Sequence, residues 1–459
     1  MVDSAFASVQ RLIKKEKVRF IDFKSLDLAG RLHHVSIPAE RFTPQLMDEG
    51  IGFDASSYGF ARMEDSDMVQ RPDLSTVKLD PFRQARTLTC FMTIHLTDAD
   101  RTRYPNDVRA VAQRAEGLLA ELDIADKSLW GPEFEFYVFD EVAFDCQPHE
   151  SFFAVHSHED MVHNAYHAAN PFDTHDDLRD EACEIMAKLG IPVKYHHHEV
   201  GQKGQQEIEL LFQPLLATAD SAVLSKYLLF NLAQERGLSL TFMPKPLHDA
   251  AGNGWHVHQY LVKKGKNVFY EEGGYANLSQ TARYYIGGLL EHAAALAAFT
   301  NASTNSYKRL GAFEAPVLRA FGQANRSSAV RIPSYVSDPE QTRIEFRPPD
   351  AMGNPYIMLA AMLMAGIDGI VNKLDPSELG FGPHDTNLYE DREALRGLRY
   401  LPLSLDESLD ALEEDCAFLM RGNVFDEGLI DSWVTLKRQE AVMVASRPHP
   451  LEYTLYFES

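Results

Sequence analysis

The stretch Ala251-Gly252-Asn253-Gly254-Trp255-His256-Val257-His258-Gln259, preceded by Phe242-Met243-Pro244-Lys245-Pro246, decides how this 459-residue chain is read. A glycine-rich turn runs into a short strand. Side chains alternate along a strand, so His256 and His258 share one face while Val257 points to the other. Two imidazoles beside such a turn fit a metal site, a phosphate site or a polar sheet face. The readings separate only if other strands repeat the device.

Four further segments do. Gly131-Pro132-Glu133-Phe134-Glu135-Phe136 puts two carboxylates on one side and two phenylalanines on the other. His198-Glu199 ends one strand and Gln205-Gln206-Glu207-Ile208-Glu209 begins the next. Arg343-Ile344-Glu345-Phe346-Arg347 sets two guanidiniums and a carboxylate against Ile and Phe. Each alone reads equally as a solvated sheet face, but Phe134, Phe136, Ile344 and Phe346 are core-type residues. The set predicts one concave face carrying Glu133, Glu135, Glu199, Glu207, His256 and Glu345. Carboxylates packed together repel unless cations neutralise them. Oxygen donors with one imidazole select Mg²⁺ or Mn²⁺ over Zn²⁺. Six donors point to more than one ion, an arrangement suited to phosphoryl transfer. Arg309, Arg326, Arg331, Arg343 and Arg347 lie among apolar and proline residues, and their planar forks match carboxylates and phosphates. No GxxxxGK[ST] or GxGxxG opens a helix, so neither a P-loop nor a Rossmann cradle is expected.

The length predicts two domains, and 45% apolar with 24% charged residues is ordinary for a globular protein. A net charge of −23 argues against a nucleic-acid partner. Cys90, Cys146, Cys183 and Cys416 have no metal-finger spacing and suit a reducing cytoplasm. No apolar leader precedes Lys14-Lys15-Glu16-Lys17. The apolar stretches 289–299 and 358–371 read as too short, or too interrupted by charge, to span a bilayer. A soluble cytoplasmic protein without membrane or nucleic-acid partners is therefore expected.

Along the chain, an amphipathic helix over 4–17, strands over 18–23, 32–37 and 87–96, and a loop through Asp54 form a small β-rich domain, 1–105. The polar run 97–107 is its boundary. Domain 106–459 interleaves helices over 108–122, 178–189, 217–236, 279–300, 355–371 and 405–419 with strands over 130–139, 193–200 and 206–212. Segment 147–171 is polar, histidine-rich and unassigned. The pattern is α/β or α+β.

Taken together, the motifs resemble glutamine synthetase of type I over nearly the whole chain. Those carrying the likeness are Phe53-Asp54-Ala55-Ser56-Ser57, Ser66-Asp67-Met68, Asp80-Pro81-Phe82, residues 131–136, His197-His198-Glu199-Val200, 204–208, 242–247, 254–258, 305–310, Glu314-Ala315-Pro316-Val317, 325–333 and 343–347. The resemblance implies an α+β fold: an N-terminal β-grasp domain, then a catalytic domain with a curved antiparallel sheet and flanking helices. It implies two stacked hexameric rings with active sites shared between neighbours.

Residue by residue, it implies one metal on Glu135, Glu199 and Glu207 and a second on Glu133, His256 and Glu345. His258, Arg331 and Arg343 would meet nucleotide phosphates, with Glu207 also on the ATP side through its metal. Arg309 and Arg347 would hold glutamate, with Gly252 near its backbone, and Arg326 would stabilise the transferring phosphoryl group. Asp54 from the adjacent subunit would bind ammonium, and Glu314 would sit on a closing flap. The implied reaction is ATP-dependent ligation of ammonia to glutamate through γ-glutamyl phosphate.

The sequence also departs from the family pattern. Arg309-Leu310-Gly311-Ala312-Phe313-Glu314 is one residue shorter than the usual flap, and Ala251-Gly252 replaces Asn-Gly. Lys194, Tyr260 and Glu340 alter the base side of the nucleotide pocket, and residues 151–164 lack Gly-Gly-Tyr-Phe. Asn387-Leu388-Tyr389 begins like the family's adenylylation loop, but Glu390-Asp391-Arg392 does not continue it, so Tyr389 reads as an exposed loop tyrosine. These departures keep two alternatives open: a γ-glutamyl-amine ligase taking methylamine or a polyamine, and a non-catalytic paralogue.

Overall fold

The computed structural model describes residues 2–311, 315–390 and 395–458. Helix α1 (Val2–Glu16) leads into a six-stranded sheet of β1 (Phe20–Leu26), β2 (Leu32–Pro38), β3 (Ile51–Asp54), β4 (Asp67–Pro72), β5 (Lys78–Leu79) and β6 (Thr87–His95). Its order is β2-β1-β6-β4-β3, with β5 paired to β6. The β1–β6 pair is parallel and the others are antiparallel. One face packs Phe23, Met92 and Leu88 with Phe42, Val9 and Met47, from α1 and α2 (Pro44–Glu49) among others. The other side gives Leu26, Phe91 and Ile94 to the core of the second domain. Burial of both faces fixes how the small sheet sits, at about 1.5–3 kcal/mol for each large side chain fully removed from water.

The second sheet has ten strands: β7 (Lys127–Phe139), β10 (Val193–His198), β11 (Gln205–Leu210), β12 (Gln213–Pro214), β13 (Ser239–Thr241), β14 (Trp255–Lys263), β15 (Lys266–Asn267), β16 (Leu318–Gln323), β17 (Ser328–Ile332) and β18 (Ile344–Phe346). The path runs β10-β11-β7-β14-β18-β17-β16. It is antiparallel except for β16–β17. Strands β8 (Glu141–Gln147) and β9 (Glu150–His156) form a separate hairpin, of which β9 falls in the unassigned polar segment 147–171 and β8 just ahead of it.

Helices α3 (Val108–Glu121), α4 (Asp176–Lys188), α5 (Leu215–Glu235), α6 (Gln280–Glu291), α7 (Ala293–Thr300), α8 (Ser306–Arg309) and α9 (Pro355–Asn372) pack behind this sheet. Helix α9 is long and apolar enough to cross a membrane by length and composition, more so than the sequence reading allowed. However, 83% of that window is buried inside the protein, so it is the central core helix. Pro355 at its first position and the Asn354 side chain, which accepts from the Tyr356 N–H, start it. The Asn354 amide also donates to the Asp27 and Leu28 carbonyls, clasping the first domain to the second.

The helix expected over 279–300 is two helices, broken at His292. That ring bridges Asp415 at 2.7 Å and Asp368 at 3.1 Å. The helix expected over 405–419 ends at Glu414. Helices Glu427–Ala445 and Pro450–Tyr456 extend beyond the elements the sequence reading assigned.

Candidate active site

Strand β7 is flanked on both sides, and residues directly opposite in a ladder share a face. Glu133 lies opposite Glu209 on β11 and His256 on β14, and Glu135 opposite Glu207. Glu345 on β18 lies opposite His258 and Arg331, and His197 on β10 opposite Glu207. On the reverse face Phe134 meets Ile208 and stacks on Trp255 at 5.1 Å, while Val257 meets Phe346. The period-two alternation thus builds one acidic face over an apolar one.

A cavity of about 550 Å³ opens on the acidic face. Of the residues singled out in the sequence, Glu133, Glu135, Glu199, Glu207, Gly252, His256, Arg309, Arg326, Arg331, Glu345 and Arg347 line it. Strand β10 ends at His198, one residue before Glu199, whose N–H still donates to the Gln205 carbonyl. Gly252 and Gly254 let the chain pass the arginine. A Cβ at 252 would meet the Pro244 oxygen at 2.4 Å, and one at 254 would meet Arg309 Nη2 at 2.5 Å. Tyr137 and Gln205 pin that turn by donating to the Ala251 and Gly252 carbonyls. Arg309 Nη1 in turn donates to the Pro348 carbonyl at 2.7 Å, which holds the guanidinium at the cavity wall.

Donor atoms gather at two places on this wall. Glu133, His256 and Glu345 bring theirs within 4.8 Å of one another, as do His197, Glu199 and Glu207. In the first group Glu345 pairs with Arg331 and with Arg347 at 2.5 Å, and His256 Nδ1 lies 3.1 Å from Glu133. Burial alone would raise both acids. Arg347 and His258 nevertheless hold Glu345 down to about 2, and His258 and His256 keep Glu133 well below the usual carboxylate range.

The second group has no such compensation. His197 lies 3.3 Å from Glu207 and 3.6 Å from Glu199, and Glu199 Oε2 is buried without a hydrogen-bond partner. Burial, with Glu135 and Glu207 beside it, pushes Glu199 up to about 9. Burial and the neighbouring carboxylates, Glu133 foremost, likewise raise Glu207 well above the usual range. An orphaned carboxylate oxygen among repelling acids and an imidazole is a donor set that fits a divalent cation.

Four sequence-derived site residues are not on this wall. His258 is fully buried behind Glu133, with Nε2 2.7 Å from its Oε1. Arg343 is buried against the Phe212 and Tyr335 rings. Asp54 is exposed on β3, where Ser56 and Ser57 donate to its carboxylate and lower its pKa. Glu314 lies outside the described residues. Of the nucleotide-side departures, Lys194 pairs with Glu209 at 2.6 Å, Tyr260 packs on Phe212, and Glu340 accepts from the Asn267 N–H.

The sequence reading missed His197 and Glu209 as parts of the acidic face. Glu209 follows Glu207 at the strand period, a signal that was available. His197 sits in the run His196-His197-His198, and the turn of β10 sends His198 inward to Glu159 at 3.0 Å while His197 faces the cavity.

The glutamine synthetase β-grasp domain family matches residues 17–97, and the glutamine synthetase catalytic domain family matches 105–456. A glutamine synthetase of Mycolicibacterium smegmatis is 42% identical over 482 aligned residues, covering 100% of each chain. One of Streptomyces coelicolor is 45% identical and covers 98% of each. The Plasmodium falciparum glutamine synthetase structure superposes with a TM-score of 0.88 over 98% of each chain at 28% identity. With both domain families matched in order and full-length relatives above 40% identity, the chain belongs to the glutamine synthetase family.

Proposed function

We infer that the chain is an ATP-dependent ligase that joins ammonia to the γ-carboxylate of L-glutamate through γ-glutamyl phosphate, giving glutamine, ADP and phosphate. The observation that carries this reading is the cavity itself, where the uncompensated Glu199–Glu207 group faces Arg309, Arg331 and Arg347. Cations on the acids and anionic substrates on the arginines complete each other's charge.

Glu135, Glu199 and Glu207 would hold one divalent ion and Glu133, His256 and Glu345 a second, with Mg²⁺ or Mn²⁺ matching the oxygen-rich set. Such ions, when bound, neutralise phosphate charge as the γ-phosphoryl group transfers. Arg347 and Arg309 would fix the glutamate carboxylates, with Gly252 leaving room for its backbone. Arg331 would take nucleotide phosphate charge, while His258 and Arg343 reach that side from beneath, His258 through Glu133 and Arg343 through its aromatic neighbours. Arg326, exposed at the rim, would swing onto the transferring phosphoryl group. Fixed charges aimed at the transition state carry most of the acceleration. Glu314 would close the site, excluding water from the acyl phosphate.

Asp54 would bind and deprotonate ammonium from a neighbouring subunit, which explains its exposure away from this chain's own cavity. The assembly would be two stacked hexameric rings in the cytoplasm, with the domain junction at residue 105. The exposed Leu451, Tyr453, Leu455 and Phe457 around the last helix, and Phe144 and Phe153 on the β8–β9 hairpin, are apolar surfaces suited to burial between copies.

Phosphate release from ATP with Mg²⁺ and glutamate, compared for ammonium, methylamine and putrescine, tests this reading. Saturable turnover with ammonium is expected, falling about 10²–10³-fold in Asp54→Ala. Co-assembling Asp54→Ala with Glu207→Gln chains should restore part of the activity, because one neighbour supplies each missing part. An organic amine preferred over ammonium, or no rescue in mixed assemblies, would overturn the acceptor or the shared site respectively.

A further inference from the structure

A second cavity, of about 610 Å³, lies between the β1–β2 hairpin and helix α5. In a chain of net charge −23 its lining is inverted in sign. Lys24, Arg31, Arg83 and Lys226 line it, against Asp22 as the one carboxylate among the lining residues. Asp22 is already occupied: Lys24 donates to it at 2.6 Å and Ser36 at 2.5 Å, and the His34 ring nitrogen lies 2.6 Å away. Lys24 is further held by Asp80 at 3.2 Å, so this inner pair is structural.

The remaining cations are less fully neutralised. Arg83 is exposed and pairs only loosely with Asp22, at 3.8 Å. The Arg31 guanidinium makes no ion pair with any described residue; the residue's backbone N–H donates to the Asp27 carboxylate. Lys226 is half-buried, donates to the Ala351 carbonyl at 2.6 Å, and has its pKa pushed down to about 8 by the desolvation of its ammonium. Leu26, Val223 and the partly exposed Phe230 supply the apolar part of the lining. Pro355, which begins α9 at the edge of the cavity, has no N–H, and the next one, on Tyr356, is taken by the Asn354 side chain.

We propose that this cavity is a binding site for a small organic dianion, whose apolar body rests on Leu26, Val223 and Phe230 and whose charges meet Arg31, Arg83 and Lys226. Guanidinium forks match carboxylate and phosphate alike, so the shared chemistry is a compact molecule with two such groups or one doubly charged one. The site is separate from the catalytic cavity and shares no lining residue with it. Lys226 links the two mechanically, because it grips the Ala351 carbonyl three residues from Pro348, the residue whose carbonyl holds Arg309.

Calorimetric titration of the full chain at constant ionic strength tests the proposal, with succinate and inorganic phosphate in separate arms and succinamide as the uncharged control. The exposed pair Arg31→Gln/Arg83→Gln should leave the melting temperature without anion unchanged and weaken binding about tenfold or more. Arg331→Gln, in the catalytic cavity, should leave this binding event intact. Succinate binding that responds in this way identifies a dicarboxylate ligand, and phosphate binding that does so identifies a phosphate ester. Binding of both probes that is indifferent to the double variant, no saturable binding of either, or equal binding of succinamide would overturn it.

Discussion

Glu345 and Glu199 line the same cavity and both are withdrawn from water, yet one is held down to about 2 and the other pushed up to about 9. The difference lies in their neighbours. Glu345 is gripped by Arg331 and Arg347 on its own and the adjoining strand. Glu199 faces Glu135 and Glu207, with only the His197 ring near it. One half of the acidic face is a finished ion network. The other is a site whose charge balance is completed from outside, and a cavity needs both kinds of wall if metal and anionic substrate are to be bound side by side.

Replacing an acid in each half sharpens this contrast. On the proposed reading, in which Glu207 holds a cation, Glu207→Gln should cost about 10³-fold or more in turnover. In the metal-free protein the same change should raise the melting temperature by relieving repulsion; a fall would break the comparison. Glu345→Gln should do the opposite to stability. It leaves Arg331 and Arg347 buried against a neutral amide, at about 3–5 kcal/mol, read as a lowered melting temperature at fixed protein concentration. Equal melting temperatures for the two metal-free variants would show that the halves do not differ.

The smallest effect is in pH. The folded pKa of Glu199 lies above its ordinary value of 4.5. Its contribution to stability is therefore fully present below about pH 4.5 and lost as pH rises through about 9. The metal-free protein should melt a few degrees lower at pH 9 than at pH 5, and saturating Mg²⁺ should flatten that slope, since binding then favours the ionised acids. An identical slope with and without Mg²⁺ would remove Glu199 as its source.

How far the sequence could be read depended on whether a feature was local. The alternation through Glu133–Phe136, His256–His258 and Arg343–Arg347 is set by the strand period, so the acidic face and its apolar reverse were both legible. Which strands are neighbours is not local, so the opposition of Glu133 to Glu209, and of His197 to Glu207, came only with the sheet. The break at His292 was hidden in the same way. Apolar periodicity continues through it, and the carboxylates that capture the ring lie 76 and 123 residues further along the chain. The β8–β9 hairpin escaped because its outward residues include Phe144 and Phe153, which mask the usual alternation of an exposed strand pair.

The Asn354 clasp sets an order of events during synthesis. Its amide reaches back 326 and 327 residues to the carbonyls it holds. At roughly 5–20 residues per second, the first domain waits about 15–65 s outside the ribosome before that latch exists. Throughout that interval the core to which Leu26, Phe91 and Ile94 belong lacks its α9 residues, from Tyr356 to Ile367. The nascent chain is thus stickiest while its smaller half is already made, and this is the window in which a chaperone has most to cover.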